Sequence, residues 1–261
     1  MRSILSARYR AVLETFAASS VLVAFDFDGT LAPIVDTPGR ASMRPSTRRE
    51  LAAVAARYPV AVISGRSRRD VTRRLGAIPV RHITGNHGLE PWGEAPAFAA
   101  LVNGWLAHLT AAIGGQPGIR IENKTYSLTV HYRGARSKAE LVRTLHRVAG
   151  SLPEARVVKG IESIALVPRH APDKGAALGH LRRLFACDTA IFVGDDETDE
   201  DAFGSAGPET VLAIRVGARR RSKAPYYVPS QQDVDALLAI LADCRAPENV
   251  VQSSFRRART R

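Results

Sequence analysis

The chain has 261 residues, of which 45% are hydrophobic and 24% are charged. This balance is typical of a folded protein with a sizeable core, and it excludes collagen-like, disordered and disulfide-rich proteins. Only five of the 37 basic residues are lysines, and the formal net charge is +12. Such a charge is compatible with a nucleic acid, an acidic membrane surface or a small anionic substrate as the partner.

The ends of the chain and its cysteines bear on location. Arg2, Arg8 and Arg10 interrupt the N-terminal stretch where a signal peptide would need an unbroken apolar segment. No run of eighteen apolar residues is present, and the spacing of Cys187 and Cys244 fits neither a metal site nor a disulfide framework. We therefore expect a cytoplasmic protein with no membrane partner.

Helices alternate with short apolar strands over much of the chain. In chain order we predict a helix over 6–18, a strand over 21–25, a helix over 44–57, a strand over 60–63, a helix over 68–75 and a strand over 82–84; further on we predict a helix over 175–185 and strands over 190–193 and 211–216. Unbroken apolar runs are typical of buried parallel strands. The alternation predicts a Rossmann-like α/β core with a parallel sheet.

The pattern changes between residues 96 and 172. Here we predict a helix over 97–112, strands over 118–123 and 125–132, a helix over 137–148, and strands over 156–158 and 161–167. Apolar and polar residues alternate from Tyr126 to Tyr132, as in a strand with two different faces. The prediction is a discontinuous core domain of residues 1–95 and 173–261 with an inserted α+β domain of residues 96–172. The last dozen residues, which are rich in arginine, are predicted to be disordered.

Acidic residues follow two of the predicted core strands. Asp26 and Asp28 come directly after the first strand, and the run from Asp195 to Asp201 follows the strand over 190–193. Because the carboxyl ends of parallel strands meet at one edge of a sheet, these carboxylates are expected to converge there. Such a concentration of negative charge favours a hard cation, and Mg²⁺ in particular when a phosphate completes its ligands.

Two basic elements lie between the acidic ones along the chain. Ser64, Gly65 and Arg66 follow the strand over 60–63 and offer a hydroxyl, backbone N–H groups and a guanidinium, which suit a phosphate dianion. Lys174 is placed at the beginning of a predicted helix, where its ammonium can neutralise charge between phosphate and carboxylates. Together the four elements predict a site for phosphate chemistry.

These motifs resemble those of a known superfamily. Four elements of the chain are similar, in the same order, to the four motifs of haloacid-dehalogenase-like phosphatases. They are Asp26 and Asp28 with Gly29 and Thr30, then Ser64, then Lys174, and finally Asp195 with Asp196. The longer strings at 64–66, 85–88, 126–133 and 194–200 resemble the trehalose-6-phosphate phosphatases within that superfamily.

The resemblance implies a mechanism. Asp26 would be the nucleophile that forms an aspartyl-phosphate, and Asp28 would be the general acid and then the general base. Mg²⁺ would be bound by Asp26, the backbone carbonyl of Asp28 and Asp195, with Asp199 acting through a water. Ser64 and Lys174 would bind the transferring oxygens.

The resemblance also makes the inserted domain a cap that closes over the site and selects the substrate. The candidate substrate-binding residues are Glu122, Lys124, His131 and Arg133 in the cap and Arg66 and His87 in the core. The family usually carries a glutamate in the last cap strand, where it holds sugar hydroxyls. Here that stretch, residues 164–168, contains no acid, and Glu162 is the nearest.

The sequence therefore predicts a Mg²⁺-dependent phosphatase of trehalose 6-phosphate that acts as a monomer on this small molecule and not on nucleic acid. The first alternative keeps the chemistry but changes the substrate to a sucrose-phosphate-like, glucosylglycerol-phosphate-like or pseudo-disaccharide phosphate, which the missing glutamate favours. The second is a basic nucleic-acid-binding protein or a catalytically idle partner subunit with the same fold, which requires the arginine clusters to form one continuous face.

Overall fold

A computed structural model describes residues 1–91, 95–160 and 162–246. Within these ranges the chain forms two sheets, one of seven parallel strands and one of four antiparallel strands. The arginine-rich tail, with the disorder predicted for it, lies outside the described residues.

The parallel sheet forms the core and has the order β1-β11-β10-β9-β2-β3-β4. Its strands are β1 (Arg2–Ser3), β2 (Val21–Phe25), β3 (Val60–Ile63), β4 (His82–Thr84), β9 (Thr189–Gly194), β10 (Val211–Val216) and β11 (Tyr226–Val228). Strand β2 lies inside the sheet between β9 and β3, and all five of its residues are buried. Its side chains alternate between two apolar layers: Val21, Val23 and Phe25 face one, and Leu22 and Ala24 face the other.

Helices cover both faces of this sheet. The first layer contains α1 (Ala7–Ala17), α2 (Pro45–Ala55), α3 (Arg68–Leu75) and α8 (Val234–Cys244), and the second contains α6 (Lys174–Leu184) and α7 (Asp199–Phe203). A parallel sheet covered on both faces explains why its strands are unbroken apolar runs. The predicted mixed α/β class with a parallel-sheet core is confirmed.

The four-stranded sheet has the order β5-β6-β8-β7 and belongs to the inserted segment. Its strands are β5 (Arg120–Asn123), β6 (Leu128–His131), β7 (Ala155–Gly160) and β8 (Ser163–Pro168), and its helices are α4 (Ala95–Ile113) and α5 (Lys138–Ser151). Both helices pack on one face of the sheet, where Trp105, Leu109 and Leu145 meet Val130 and Leu166. We call this unit the cap. The domain boundaries at residues 96 and 172 stay a prediction.

Helix α4 is long and apolar enough to cross a membrane, judged by length and composition alone. Val102, Trp105, Leu109 and Ile113, which follow a helical spacing, are buried in the cap core. A core helix passes the same test, so this property of α4 is weak support for a membrane span.

The element predictions are wrong in some places. The strand predicted to begin at Thr125 begins at Leu128, because Thr125 has a left-handed φ of +73° and its N–H donates to Asn123 Oδ1 at 2.7 Å. This turn stops the extended conformation. Helix α8 was not predicted, nor were α7, β1 and β11. The strands predicted over 156–158 and 161–167 form instead as Ala155–Gly160 and Ser163–Pro168.

Candidate active site

The first acidic loop begins where β2 ends. Asp26 is buried, with 5% of its surface exposed, whereas the Asp28 side chain is 38% exposed. Gly29 follows with a left-handed φ of +79°, and a Cβ atom there would lie 2.1 Å from Asp195 Oδ2. Both the backbone conformation and the approach of Asp195 therefore require glycine after Asp28.

Lys174 lies at the first position of α6 and connects the two acidic loops. Its Nζ donates to Asp26 Oδ1 at 2.9 Å and to Asp199 Oδ1 at 2.7 Å, and the side chain is only 2% exposed. Burial lowers the pKa of the Lys174 ammonium, but Asp199 and Asp26 outweigh it and hold that pKa well above its ordinary value. Lys174 is thus a fixed positive charge beside Asp26.

The second acidic loop follows β9, the neighbour of β2 in the sheet. Asp199 is fully buried, and its Oδ2 accepts the backbone N–H groups of Asp195 and Asp196 at 2.8 and 2.9 Å. Asp196 Oδ1 accepts the N–H and the hydroxyl of Thr198 at 2.8 and 2.7 Å and so shapes the turn into α7. These bonds fix the direction in which Asp195 and Asp199 face Asp26.

Three carboxylates meet at this edge of the sheet. One oxygen each from Asp26, Asp195 and Asp199 lies within 4.8 Å of the others. Burial, followed by repulsion from Asp199 and Asp196, raises the pKa of Asp195 to about 8, and burial raises the pKa of Asp26 well above its ordinary value. When all three are deprotonated, the carboxylates exceed the Lys174 ammonium by two negative charges, so this oxygen set fits a divalent metal ion.

The predicted phosphate-binding element lies at the end of β3. Ser64 is buried, and its Oγ accepts the N–H of Arg66 at 3.2 Å. The Arg66 guanidinium, however, forms a two-pronged ion pair with Asp28, with distances of 2.6 and 2.7 Å, and a third bond to Asp70 at 2.8 Å. Arg66 therefore holds the candidate acid-base residue in this structure, a contact that the sequence did not predict.

His87 lies opposite Ser64 in a short turn after β4. Its φ is +61°, and a Cβ atom on Gly65 would lie 2.5 Å from His87 Cε1. Burial and the positive charges of Lys174 and Lys124 lower the pKa of His87 to about 3, so the imidazole is neutral at physiological pH. Its Nδ1 is buried and has no hydrogen-bond partner within the described ranges.

The cap is attached to the core beside this turn. Lys124 Nζ donates to the Gly65 carbonyl at 3.0 Å, and Asn86 accepts from Ser127 Oγ at 2.8 Å while donating to the Lys124 carbonyl at 3.3 Å. Asn86 and Ser127 are both buried. Lys124 is thereby held directly above the loop that carries Ser64.

The other predicted cap residues form side-chain hydrogen bonds and ion pairs with one another or with neighbouring residues. His131 Nε2 lies 2.7 Å from Glu122 Oε2, and this hydrogen bond is the main cause that lowers the pKa of Glu122 to about 2. Arg133 pairs with Asp36 of the core at 2.6 Å and with Glu162 at 3.2 Å. Glu162 also binds Lys138 at the turn before β8.

The predicted residues other than Ser64 and Asp199 line one cavity. A cavity of about 480 Å³ separates core and cap, and its walls include Asp26, Asp28, Lys174 and Asp195 below and Glu122, Lys124, His131 and Arg133 above. Arg66 and His87 line its side. A volume of this size is in the range of sites for small organic ligands.

Several further residues of the site were not predicted, and three of them make defining contacts. Asp70 holds Arg66, Thr129 lines the cavity from the cap, and the buried Arg215 of β10 donates to the backbone carbonyls of Asp195 and Asp196. Arg215 also pairs with Glu200 at 3.0 Å. Arg215 is the one arginine in the otherwise apolar strand β10. Because a buried guanidinium needs hydrogen-bond partners, its position in the sequence already indicated that such partners lie nearby.

The fold and the site define the class of the chain: it has the haloacid-dehalogenase-like fold with an inserted α+β cap. A solved structure described as the Candida albicans trehalose-6-phosphate phosphatase C-terminal domain has this fold, with a TM-score of 0.76, 23% identity, and coverage of 90% of this chain and 96% of the other. An Aspergillus fumigatus trehalose-6-phosphate phosphatase aligns with a TM-score of 0.61 and 26% identity over 93% of this chain and 100% of the other.

Sequence comparison gives the family. The family model described as trehalose-phosphatase matches residues 24–232, and the chain belongs to this family. A trehalose-phosphate phosphatase of Mycobacterium bovis is 36% identical over 252 residues, which cover 91% of this chain and 61% of the relative. One of Mycobacterium ulcerans is 35% identical over 251 residues, with coverage of 90% and 61%. The chain thus spans about three fifths of the length of these relatives.

Proposed function

We propose that this chain hydrolyses trehalose 6-phosphate to trehalose and inorganic phosphate. The observation that carries the proposal is the buried Asp26 carboxylate, ion-paired with Lys174 at the bottom of a cavity roofed by the cap. The relatives of this family are named for the same substrate, which supports the choice of sugar.

The chemistry consists of two displacements at phosphorus. In the first, an oxygen of Asp26 forms a bond to phosphorus while the bond to the sugar oxygen breaks, and Asp28 gives its proton to that oxygen. In the second, water attacks the aspartyl-phosphate, Asp28 takes a proton from the water, and the Asp26 carboxylate leaves. Lys174 and Ser64 bind the phosphoryl oxygens throughout.

Asp28 must change its contacts to act in this way. Both of its oxygens accept from Arg66 in the present structure, at 2.6 and 2.7 Å. To give a proton to the sugar oxygen, Asp28 needs one of its two carboxyl oxygens free of Arg66. The Asp28 side chain therefore rotates away from Arg66 when substrate is bound. Asp70 and Arg74 keep the guanidinium in place meanwhile, because both lie on α3 and pair with each other at 2.9 Å.

The metal in this proposal is Mg²⁺, which would be held by Asp26, Asp195 and the backbone carbonyl of Asp28, with Asp199 acting through a water. The three carboxylates fit it by their oxygen chemistry and their excess of negative charge. Bound there, Mg²⁺ would offset the repulsion between the Asp26 carboxylate and the phosphate dianion.

The sugar is proposed to lie against the cap. Glu122 and His131 present a carboxylate and an imidazole on one face of the sheet, and Lys124 and His87 lie at the junction of cap and core. Arg133 contacts a core residue, Asp36, and so helps to hold the cap closed over the sugar. We propose that the enzyme acts as a monomer in the cytoplasm.

A second candidate keeps this chemistry and changes the sugar. Ala165 lies in the cavity on the last cap strand, and Glu162, the nearest acid, instead pairs with Lys138 and Arg133 at the turn before that strand. Without a carboxylate there, a sucrose-phosphate-like or glucosylglycerol-phosphate-like substrate is favoured.

The test is phosphate release with Mg²⁺ from trehalose 6-phosphate, sucrose 6-phosphate, glucose 6-phosphate and glucosylglycerol phosphate. Asp26→Asn removes the nucleophile, and Asp188→Asn is the matched control, since Asp188 is exposed on the surface. We expect preference for trehalose 6-phosphate, lost only in Asp26→Asn. Preference for another ester would support the second candidate, and activity retained by Asp26→Asn would refute the mechanism.

A further inference from the structure

The cap sheet has two chemically different faces. Leu128, Val130, Ile164 and Leu166 point into the cap core, and the residues between them on β6 and β8 line the cavity. The strand register places four cavity residues in one row across the sheet, in the order Glu122, Thr129, Ala165 and Val158. This row forms the roof of the cavity.

Thr129 lies at the centre of the row and has an unusual hydroxyl. The residue is 5% exposed, and its Oγ1 is buried with no hydrogen-bond partner within the described parts of the chain. An unpaired buried hydroxyl costs stability, and buried polar atoms are generally paired. A ligand in the cavity can supply the hydrogen bond that the Thr129 hydroxyl lacks in this structure.

The neighbours of Thr129 indicate what this ligand is. Ala165, directly opposite in the register, carries only a methyl group and offers the hydroxyl no hydrogen-bond partner. On the other side Glu122 is bound to His131, so its charge already has a partner. A neutral ligand group fits best, and a sugar hydroxyl can both donate to and accept from a threonine hydroxyl.

We infer that Thr129 is a specificity-determining residue whose hydroxyl binds a hydroxyl of the sugar leaving group, with the sugar ring seated against Ala165. The inference rests on the proposed function and deepens it. Thr129 belongs to the cap and has no part in the bond changes at Asp26, so it distinguishes esters by their leaving group.

The experiment compares Thr129→Val, which keeps the shape and removes the hydroxyl, with Thr129→Ser, which keeps the hydroxyl. For Thr129→Val we expect kcat/KM on the preferred sugar phosphate to fall about tenfold, the loss of one hydrogen bond. Hydrolysis of p-nitrophenyl phosphate, which lacks sugar hydroxyls, stays within about twofold of wild type. Thr129→Ser restores the sugar phosphate activity.

A second readout separates this role from a structural one. Because the hydroxyl is unpaired without ligand, Thr129→Val is expected to raise the unfolding temperature of the free protein while it weakens sugar binding. Thr110→Val, on the exposed side of α4, is the matched control and changes neither property. An unchanged ratio of sugar phosphate to p-nitrophenyl phosphate activity, or a lower unfolding temperature, would overturn the inference.

The inference can also be tested if the proposed function fails. Should the protein hydrolyse none of these esters, the thermal shift caused by free trehalose is measured instead. A shift in wild type that Thr129→Val abolishes and Thr129→Ser retains supports the sugar subsite. Equal shifts in wild type and Thr129→Val, or none in either, refute it.

Discussion

Replacement of Lys174 by methionine tests how the acidic site is held together. The ammonium lies 2.9 Å from Asp26 and 2.7 Å from Asp199, and the three side chains are exposed by 2%, 7% and 0%. Methionine keeps most of the apolar length of lysine, so the change removes a charge without opening a large cavity.

The size of the effect follows from burial. Loss of one partner from a buried ion pair costs about 3–5 kcal/mol, because the remaining charge is left uncompensated. Since Lys174 has two carboxylate partners, we expect the free energy of unfolding to fall by about 4 kcal/mol. Phosphate release is expected to fall by at least about 10²-fold, as Lys174 also binds the transferring oxygens.

The assay is urea unfolding followed by circular dichroism, in buffer with a chelator so that no divalent cation stabilises the folded state. Lys223→Met is the matched control, because Lys223 is exposed, and its effect is expected within about 0.5 kcal/mol. A loss below about 1 kcal/mol for Lys174→Met would refute the reasoning, since the carboxylates would then be stable without a cation.

Three further changes test other parts of the site. Gly29→Ala forces a left-handed residue against Asp195 and should abolish hydrolysis and lower the unfolding free energy by at least about 1 kcal/mol, whereas Gly150→Ala, an exposed position with open space around it, should do neither in the same assays. Asp28→Asn removes both the acid of the first displacement and the base of the second, so with p-nitrophenyl phosphate, whose leaving group needs no proton, mass spectrometry after acid quenching should detect a covalent phosphate on Asp26; an unmodified protein with that ester would contradict the role of Asp28 as the base. Arg215→Met removes the donor to the backbone carbonyls of the second acidic loop and should raise the Mg²⁺ concentration for half-maximal activity about 10-fold or more, and an unchanged Mg²⁺ dependence would argue against that role.

The carboxylates of the core were predictable because they follow strands. An apolar run that ends in aspartate indicates a buried parallel strand, and neighbouring strands of this kind bring their ends together. Asp26 and Asp195 follow β2 and β9, which pair directly, so 169 residues of separation in the chain become a few ångströms in space. Lys174 was predictable for a similar reason, as the first residue of a helix beside that edge.

Helix α8 was predictable from the spacing of its apolar residues. Val234, Leu237, Leu238 and Leu241 follow the spacing of one helical face, and all four are buried against the first layer of the core. The start of β6 shows the opposite case: the alternating residues from Tyr126 onward suggest a longer strand than forms, because the Asn123 side chain closes a turn at Thr125.

Contacts that depend on register could not be predicted from one sequence. Thr129 and Ala165 lie 36 positions apart and become neighbours only through the pairing of β6 with β8. The alternation along β6 indicates on which face Thr129 lies, but a shift of that pairing by two residues would keep every side chain on its face and place a different residue opposite Thr129. The bond from Arg66 to Asp28 depends likewise on side-chain rotamers, which the motifs do not specify.

The core residues and the cap-sheet residues of the site should respond differently to substitution. Asp26 and Lys174 belong to the core, whereas Thr129 and Ala165 lie on a separate sheet on the other side of the cavity. Changes at sites that are far apart and share no partners combine additively. Substitutions in the row from Glu122 to Val158 should therefore alter the preferred leaving group while the phosphate chemistry stays intact, and substitutions around Lys174 should reduce the hydrolysis of every ester alike.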